Sequence, residues 1–137
     1  IVQALALAEA GGLQARPQPE AGVTYAHKID KAEAALDWKQ PAEALARKVR
    51  ALNPAPAASA RLGGETFKVW SAQALEAPGA PAGTAAGTVV AATPAGIDVA
   101  CGAGLLRLTE LQRPGARRLP VADLLRGLAV APGARFE

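Results

Sequence analysis

The side chains with the most to offer chemically are Arg50, Asn53, Lys68, Arg113, Arg117 and Arg118. Guanidinium and ammonium groups bind phosphate oxygens, and a set spread over several segments suits an RNA phosphate ridge if the fold brings it to one face. Three of them also have a plainer use: Arg50 bracing a linker through Asp37, Asn53 ending a helix, Lys68 facing solvent from a strand. One Cys forms no internal disulfide, and one His with one Cys makes neither a zinc knuckle nor a multi-His centre, so no metal is expected. His27 has no nucleophile or carboxylate pattern that would make it a general base, and it reads as structural. Cys101 falls in an alternating strand and reads as core packing. Trp38 and Trp70 read as anchors of linker and barrel rather than base-stacking platforms. Gly102-Ala103-Gly104 leads into an apolar strand without the spacing of a nucleotide loop, and is a hairpin turn.

A chain of 137 residues fits one ordinary domain, with length enough to bury roughly two thirds of its unfolded surface. Much of the apolar half is Ala, so the core rests on Leu, Val and Ile, with Val99 and Leu106 expected inside. Charge is unevenly placed. Residues 1–37 hold three Lys or Arg against five Asp or Glu, whereas from Trp38 onward twelve face seven. That basic remainder points to an anionic partner. No apolar run has the length of a membrane span and the opening residues lack a signal-peptide pattern, so the expected address is the cytoplasm, with no membrane partner. A chain that opens at Ile1 and contains no Met is expected to be a piece of something longer.

The elements that must position these groups come from local pattern. Ile1 to Ala10 reads as a short helix stopped by Gly11-Gly12, and Pro17, Pro19 and Gly22 make the stretch from Leu13 to Tyr25 an extended crossing. Asp30 with Glu33 three residues later forms a capping-box start to a helix of one or two turns. Pro41 opens the clearest helix, with Ala42, Leu45, Val49 and Leu52 on one face, and Asn53-Pro54 ends it. The period then changes to two. Ala58–Leu62, Phe67–Trp70, Thr88–Ala92, Ile97–Cys101 and Leu105–Leu111 read as strands, with Gly63-Gly64, Pro94-Ala95-Gly96 and Gly102-Ala103-Gly104 as turns and a flexible loop from Pro78 to Gly87. Val121 to Leu128 reads as a last short helix, stopped by Pro132-Gly133. The fold class is mainly β: a small, closed, OB-like barrel of five to six strands with a preceding linker, one helix before the barrel and a short C-terminal helix.

In this order the segments resemble a known family. Val23-Thr24-Tyr25-Ala26-His27-Lys28-Ile29, Lys31-Ala32-Glu33-Ala34 into Asp37-Trp38, Val49-Arg50-Ala51-Leu52-Asn53-Pro54, Phe67-Lys68-Val69-Trp70, Gly87-Thr88-Val89, Gly96-Ile97-Asp98-Val99-Ala100, Gly104-Leu105-Leu106-Arg107-Leu108, and Leu111-Gln112 through Gly115 to Asp123-Leu124-Leu125 are similar to the carboxy-terminal half of methionyl-tRNA formyltransferase. The resemblance implies three parts: 1–22 as the end of an amino-terminal Rossmann-like domain, 23–40 as linker, and 41–137 as an OB-like tRNA-binding domain. It implies initiator tRNA and the amino-terminal catalytic domain as partners. It also implies 10-formyltetrahydrofolate as cosubstrate of that absent domain, no cofactor bound by this chain, and no formyl transfer by it alone. The family's Asn-Pro-Trp-Pro stands here as Asn53-Pro54-Ala55-Pro56, and its Gly-Lys pair as Gly115-Ala116, followed by Arg117 and Arg118. The alternative is a structural barrel in a related formyltransferase acting on a nucleotide sugar, though such a barrel has no need of three arginines in one turn. Replacing Arg117 and Arg118 with Ala is expected to weaken tRNA binding without moving the melting temperature. Apolar area near Ile1 to Leu13 is expected to lie exposed and to pair with a second copy.

Overall fold

The computed structural model describes residues 1–75 and 79–137; Pro78, where the expected loop starts, lies outside the described residues. Three helices, α1 (Val2–Glu9), α2 (Ala42–Ala51) and α3 (Val121–Leu124), accompany a 3-10 helix at Lys31–Ala34. Among the described residues there are six strands: β1 (Ala58–Leu62), β2 (Glu65–Leu75), β3 (Val89–Thr93), β4 (Gly96–Ala100), β5 (Leu105–Gln112) and β6 (Arg118–Pro120), of which the first five fall where alternation placed them and β6 was not read from the sequence. They form one antiparallel sheet in the order β1-β2-β5-β4-β3, with β6 added on β5.

Local chemistry explains the boundaries. The Gly11 and Gly12 N–H groups end α1 by donating to the Ala8 and Leu7 carbonyls at 3.1 and 2.8 Å, a Schellman pattern. The capping box forms as expected: Asp30 Oδ1 accepts from the Ala32 N–H at 3.0 Å and Glu33 Oε1 from the Asp30 N–H at 2.8 Å. Gly63 and Gly64, at φ +58° and +86°, make the two-residue turn whose twist matches the β1–β2 hairpin. The 101–104 turn joins β4 to β5 and also docks α2. Gly102 N–H donates to the Trp38 and Gln40 carbonyls, and a Cβ there would lie 1.8 Å from the Lys39 carbonyl oxygen, so only glycine fits.

The apolar face of α2 (Ala42, Leu45, Ala46, Val49) and the inward residues of the strands share one core with Leu36 and Trp38 from the preceding segment. Val99 and Leu106 are fully buried as expected, and aromatics join them: Phe67, Phe136 and Trp38, the last with its ring centroid 5.5 Å from that of Phe136. Inside this sheet a buried Asp98 receives two hydrogen bonds from Arg107 across the β4–β5 register, at 2.6 and 2.8 Å. The ion pair raises the Arg107 pKa above its ordinary value and satisfies a carboxylate that would otherwise be costly to bury.

Four expectations need correction. The strand ladder does not close: β1 and β3 do not pair with each other, and the chain end runs between them. Arg61 and Glu137 exchange backbone hydrogen bonds at 3.2 and 2.8 Å, while Phe136 N–H donates to Gly87 O and Val89 N–H to Ala134 O, both at 2.8 Å. The last helix ends at Leu124 rather than Leu128, since the Arg126 and Gly127 N–H groups tighten to i−3 carbonyls and glycine is a poor helix former. His27 is exposed, as are all residues from Ile1 to Glu33, because this stretch packs on nothing in the core. Linker bracing falls to Lys48, whose Nζ donates to the Ala35 carbonyl at 2.7 Å, while Asp37 accepts from Lys39 N–H and Gln40 Nε2.

Cys101 is buried, and its Sγ donates to the Val99 carbonyl at 3.6 Å. Burial pushes its thiol up to about 11, so the thiolate is scarce at neutral pH. Native protein at pH 8 is therefore expected to react with iodoacetamide far more slowly than denatured protein; equal rates would place the thiol outside the core.

Candidate nucleic-acid interface

Strand register builds the site. Ser59 pairs with Lys68, Lys68 with Gln112, and Gln112 with Arg118, so one row crosses β1, β2, β5 and β6. Alternation sends the neighbours Ala58, Phe67, Val69 and Leu111 into the core, leaving the row on the outer face with Thr66 two residues away. Trp70 is the extra residue of a β2 bulge, between the Val69–Leu111 and Ser71–Glu110 pairs, and it emerges half-buried on this face.

The Trp70 indole is the hub. Its Nε1 donates to Gln112 Oε1 at 2.9 Å, and Gln112 Nε2 donates to the Ala116 carbonyl at 2.7 Å, tying β5 to the turn before β6. Lys68 Nζ lies 5.7 Å and the Arg118 guanidinium 4.9 Å from the indole centroid, within cation–π range. Asn53 Nδ2 donates to the Trp70 carbonyl at 3.0 Å, so the end of α2 is fastened to the same strand. Asn53 thus acts as a brace between elements.

Two of the arginines are already engaged. Arg113 makes a two-point pair with Glu65, at 3.0 and 2.7 Å, and Arg118 makes one with Glu110. The hydrogen bonds that each arginine donates to its carboxylate raise the pKa of that arginine, and Arg113 holds Glu65 below the ordinary 4.5. Among the described residues, Lys31, Lys68 and Arg117 have no carboxylate within ion-pair distance. Of the six candidates, Asn53, Lys68, Arg113 and Arg118 gather around this face. Arg117 adjoins it in sequence, and Arg50 lines a separate groove with Arg47, Glu43 and Gln73. Sequence reading missed Gln112, Glu65 and Glu110; their only signal was strand register, which binds Lys68 to a glutamine 44 positions on.

A pH dependence arises at Glu65. Its folded pKa lies below its unfolded one, so the pair stabilises the fold above about pH 4.5 and the contribution is lost as pH falls through the depressed value. Urea midpoints measured from neutral to acid pH are expected to fall less steeply on the acid side in Glu65→Gln than in the native chain.

Residues 28–129 match the model of the formyl transferase C-terminal domain. The chain belongs to this family. It is 55% identical over 138 residues to the methionyl-tRNA formyltransferase of Paracidovorax citrulli, covering 97% of this chain and 42% of that one. To the methionyl-tRNA formyltransferase of Bordetella petrii it is 59% identical over 129 residues, covering 93% and 39%. The chain thus spans about two fifths of the length of the curated relatives it matches. Among solved structures, HypX from Aquifex aeolicus superposes with a TM-score of 0.66 at 24% identity, over 96% of this chain and 24% of HypX, a likeness of fold. This formyl transferase C-terminal domain therefore places its sheet, α2 and the segment from residue 28 within the family pattern, while residues 130–137, with the bridging Phe136, lie beyond the matched region.

Proposed function

We propose that this domain is the tRNA-holding part of a methionyl-tRNA formyltransferase. It orients the acceptor stem of a charged initiator tRNA toward an active site on the preceding catalytic domain, where 10-formyltetrahydrofolate supplies the formyl group. The parts assigned by resemblance, 1–22 to the end of the catalytic domain, 23–40 to the linker and 41–137 to the OB-like tRNA-binding domain, fit this reading, and the chain alone transfers no formyl group. Exposed Ile1, Val2, Leu5 and Leu7 on or beside α1 support a preceding domain as the partner of that segment. The reaction belongs to the cytoplasm, where its tRNA substrate is made and used.

The observation that carries the reading is the Trp70 face: an aromatic ring flanked by cations on an in-register row across four strands, with exposed donors and a solvent-facing surface. Arg113 and Arg118 are paired with Glu65 and Glu110, so on or beside this face the cations without an ion pair among the described residues are Lys31, Lys68 and Arg117. A salt titration of initiator tRNA binding should then give a log–log slope of about −3, at about −0.9 per duplex phosphate neutralised. Elongator tRNA and single-stranded RNA serve as comparators, and initiator preference would locate identity reading in this domain. Absence of saturable binding at low salt would overturn the proposal. The nucleotide-sugar alternative is not favoured, since the Paracidovorax and Bordetella relatives both carry the tRNA enzyme's name.

A further inference from the structure

Beside the Trp70 face lies a groove of about 490 Å³ that shares Lys31 and Lys68 with that face and adds an apolar wall that contacts to duplex phosphates do not require. It runs between the 3-10 helix, the outer face of the β1–β2 hairpin and the turn after β5, and its polar lining includes Lys31, Ser59, Thr66, Lys68 and Arg113. The volume is in the range of sites that enclose a small organic molecule. Its lining is of two kinds.

The first kind binds anions. Lys31 and Lys68 bring two ammonium groups with no carboxylate partner among the described residues, and Ser59 and Thr66 add hydroxyls. Arg113 is fixed by Glu65, and the pair offsets the charge of that carboxylate. The second kind is apolar and stiff: Pro56 and Pro114 have locked backbones, and the buried Ala34 and Ala57 lie beneath, Ala57 in a left-handed conformation with its N–H bonded to the Leu52 carbonyl at 2.9 Å. A phosphate alone has no use for the prolines, and an apolar body alone has no use for the lysines. A nucleotide uses both.

We propose that this groove receives one unpaired nucleotide of the RNA, its phosphate held by Lys31 and Lys68 and its base laid against Pro56 and Pro114. The proposal rests on the RNA-binding reading and adds to it that the domain distinguishes a splayed-out nucleotide from a paired one, because a base stacked in a duplex cannot enter.

The test uses the full chain, with pentauridylate as the single-stranded probe and a blunt RNA duplex as the control. Thr66→Trp fills the groove from an exposed strand position that tolerates an aromatic. It is expected to weaken pentauridylate binding about tenfold, the scale of one lost base contact, while changing duplex binding far less. Lys31→Ala, on the exposed 3-10 helix, is expected to weaken pentauridylate and reduce its salt slope by about 0.7. It decides the matter if circular dichroism shows Thr66→Trp unfolded. Uridine monophosphate should compete better than inorganic phosphate. If both variants bind pentauridylate like the native chain, or inorganic phosphate competes as well as the nucleotide, the groove proposal is overturned while RNA binding by the face stands. If the native chain binds no RNA at low salt, both fall.

Discussion

Replacing Phe136 with Ala will destabilise the domain by about 3–5 kcal/mol, the cost typical of removing a buried aromatic ring. Phe136 is 1% exposed and packs on Trp38, and its backbone is half of the bridge between β1 and β3. The ring is the large buried side chain of a segment otherwise held by backbone hydrogen bonds to the two sheet edges, so its loss acts twice: a cavity opens beneath Trp38, and the chain end loses its apolar contact with the core. Such a loss is a large fraction of the roughly 5–15 kcal/mol that holds a domain of this size together. Urea unfolding should show a midpoint shift at unchanged slope, and Phe136→Leu should recover most of it. An unchanged midpoint in Phe136→Ala would mean that the chain end is not part of the cooperative fold.

The second large effect concerns binding. Lys68→Glu combined with Arg117→Glu should lower RNA affinity about a hundredfold at moderate salt and reduce the salt slope by about 2, since two free cations are removed and two repulsive charges added. Both residues are exposed, so the urea midpoint should stay close to that of the native chain. Arg118 is placed differently from Arg117, with which the sequence expectation grouped it. Its guanidinium stacks on Trp70 and pairs with Glu110, so Arg118→Ala alone is expected to lower the urea midpoint as well as the affinity. If Arg118→Ala leaves stability untouched while Arg117→Ala lowers it, the assignment of these two arginines is reversed.

What was legible in the sequence was local. The Asp30–Glu33 box, the Pro41 start of α2, the Gly63-Gly64 hairpin and the two-residue period of the strands each act over a few positions, and each formed where its residues sit. What was illegible depends on register and on distant partners. Ala134 to Glu137 does alternate, but over four residues only, too short a run to read as a strand, and its role is set by which edges the sheet leaves open. Glu65 reaches Arg113 across 48 positions, and Trp70 reaches Gln112 across 42, through a bulge that no composition signals. Reading the basic residues without these partners left out the ion pairs that occupy Arg113 and Arg118, whereas the anchoring role it gave Trp70 agrees with the indole's hydrogen bond to Gln112. The family resemblance was legible because it rests on ordered segments, and the match over residues 28–129 bears it out.

The central claim is that RNA meets this domain at the Trp70 face. Trp38 is buried and Trp70 half-exposed, so tryptophan emission separates the core from the face. Titrating the chain with initiator tRNA at low salt should give a saturable change in emission that disappears in Trp70→Phe, while binding tracked by an independent method such as filter retention persists in weakened form. An emission change of the same size in Trp70→Phe, or saturable binding with no change in the native chain, would contradict the claim and move the RNA to another surface.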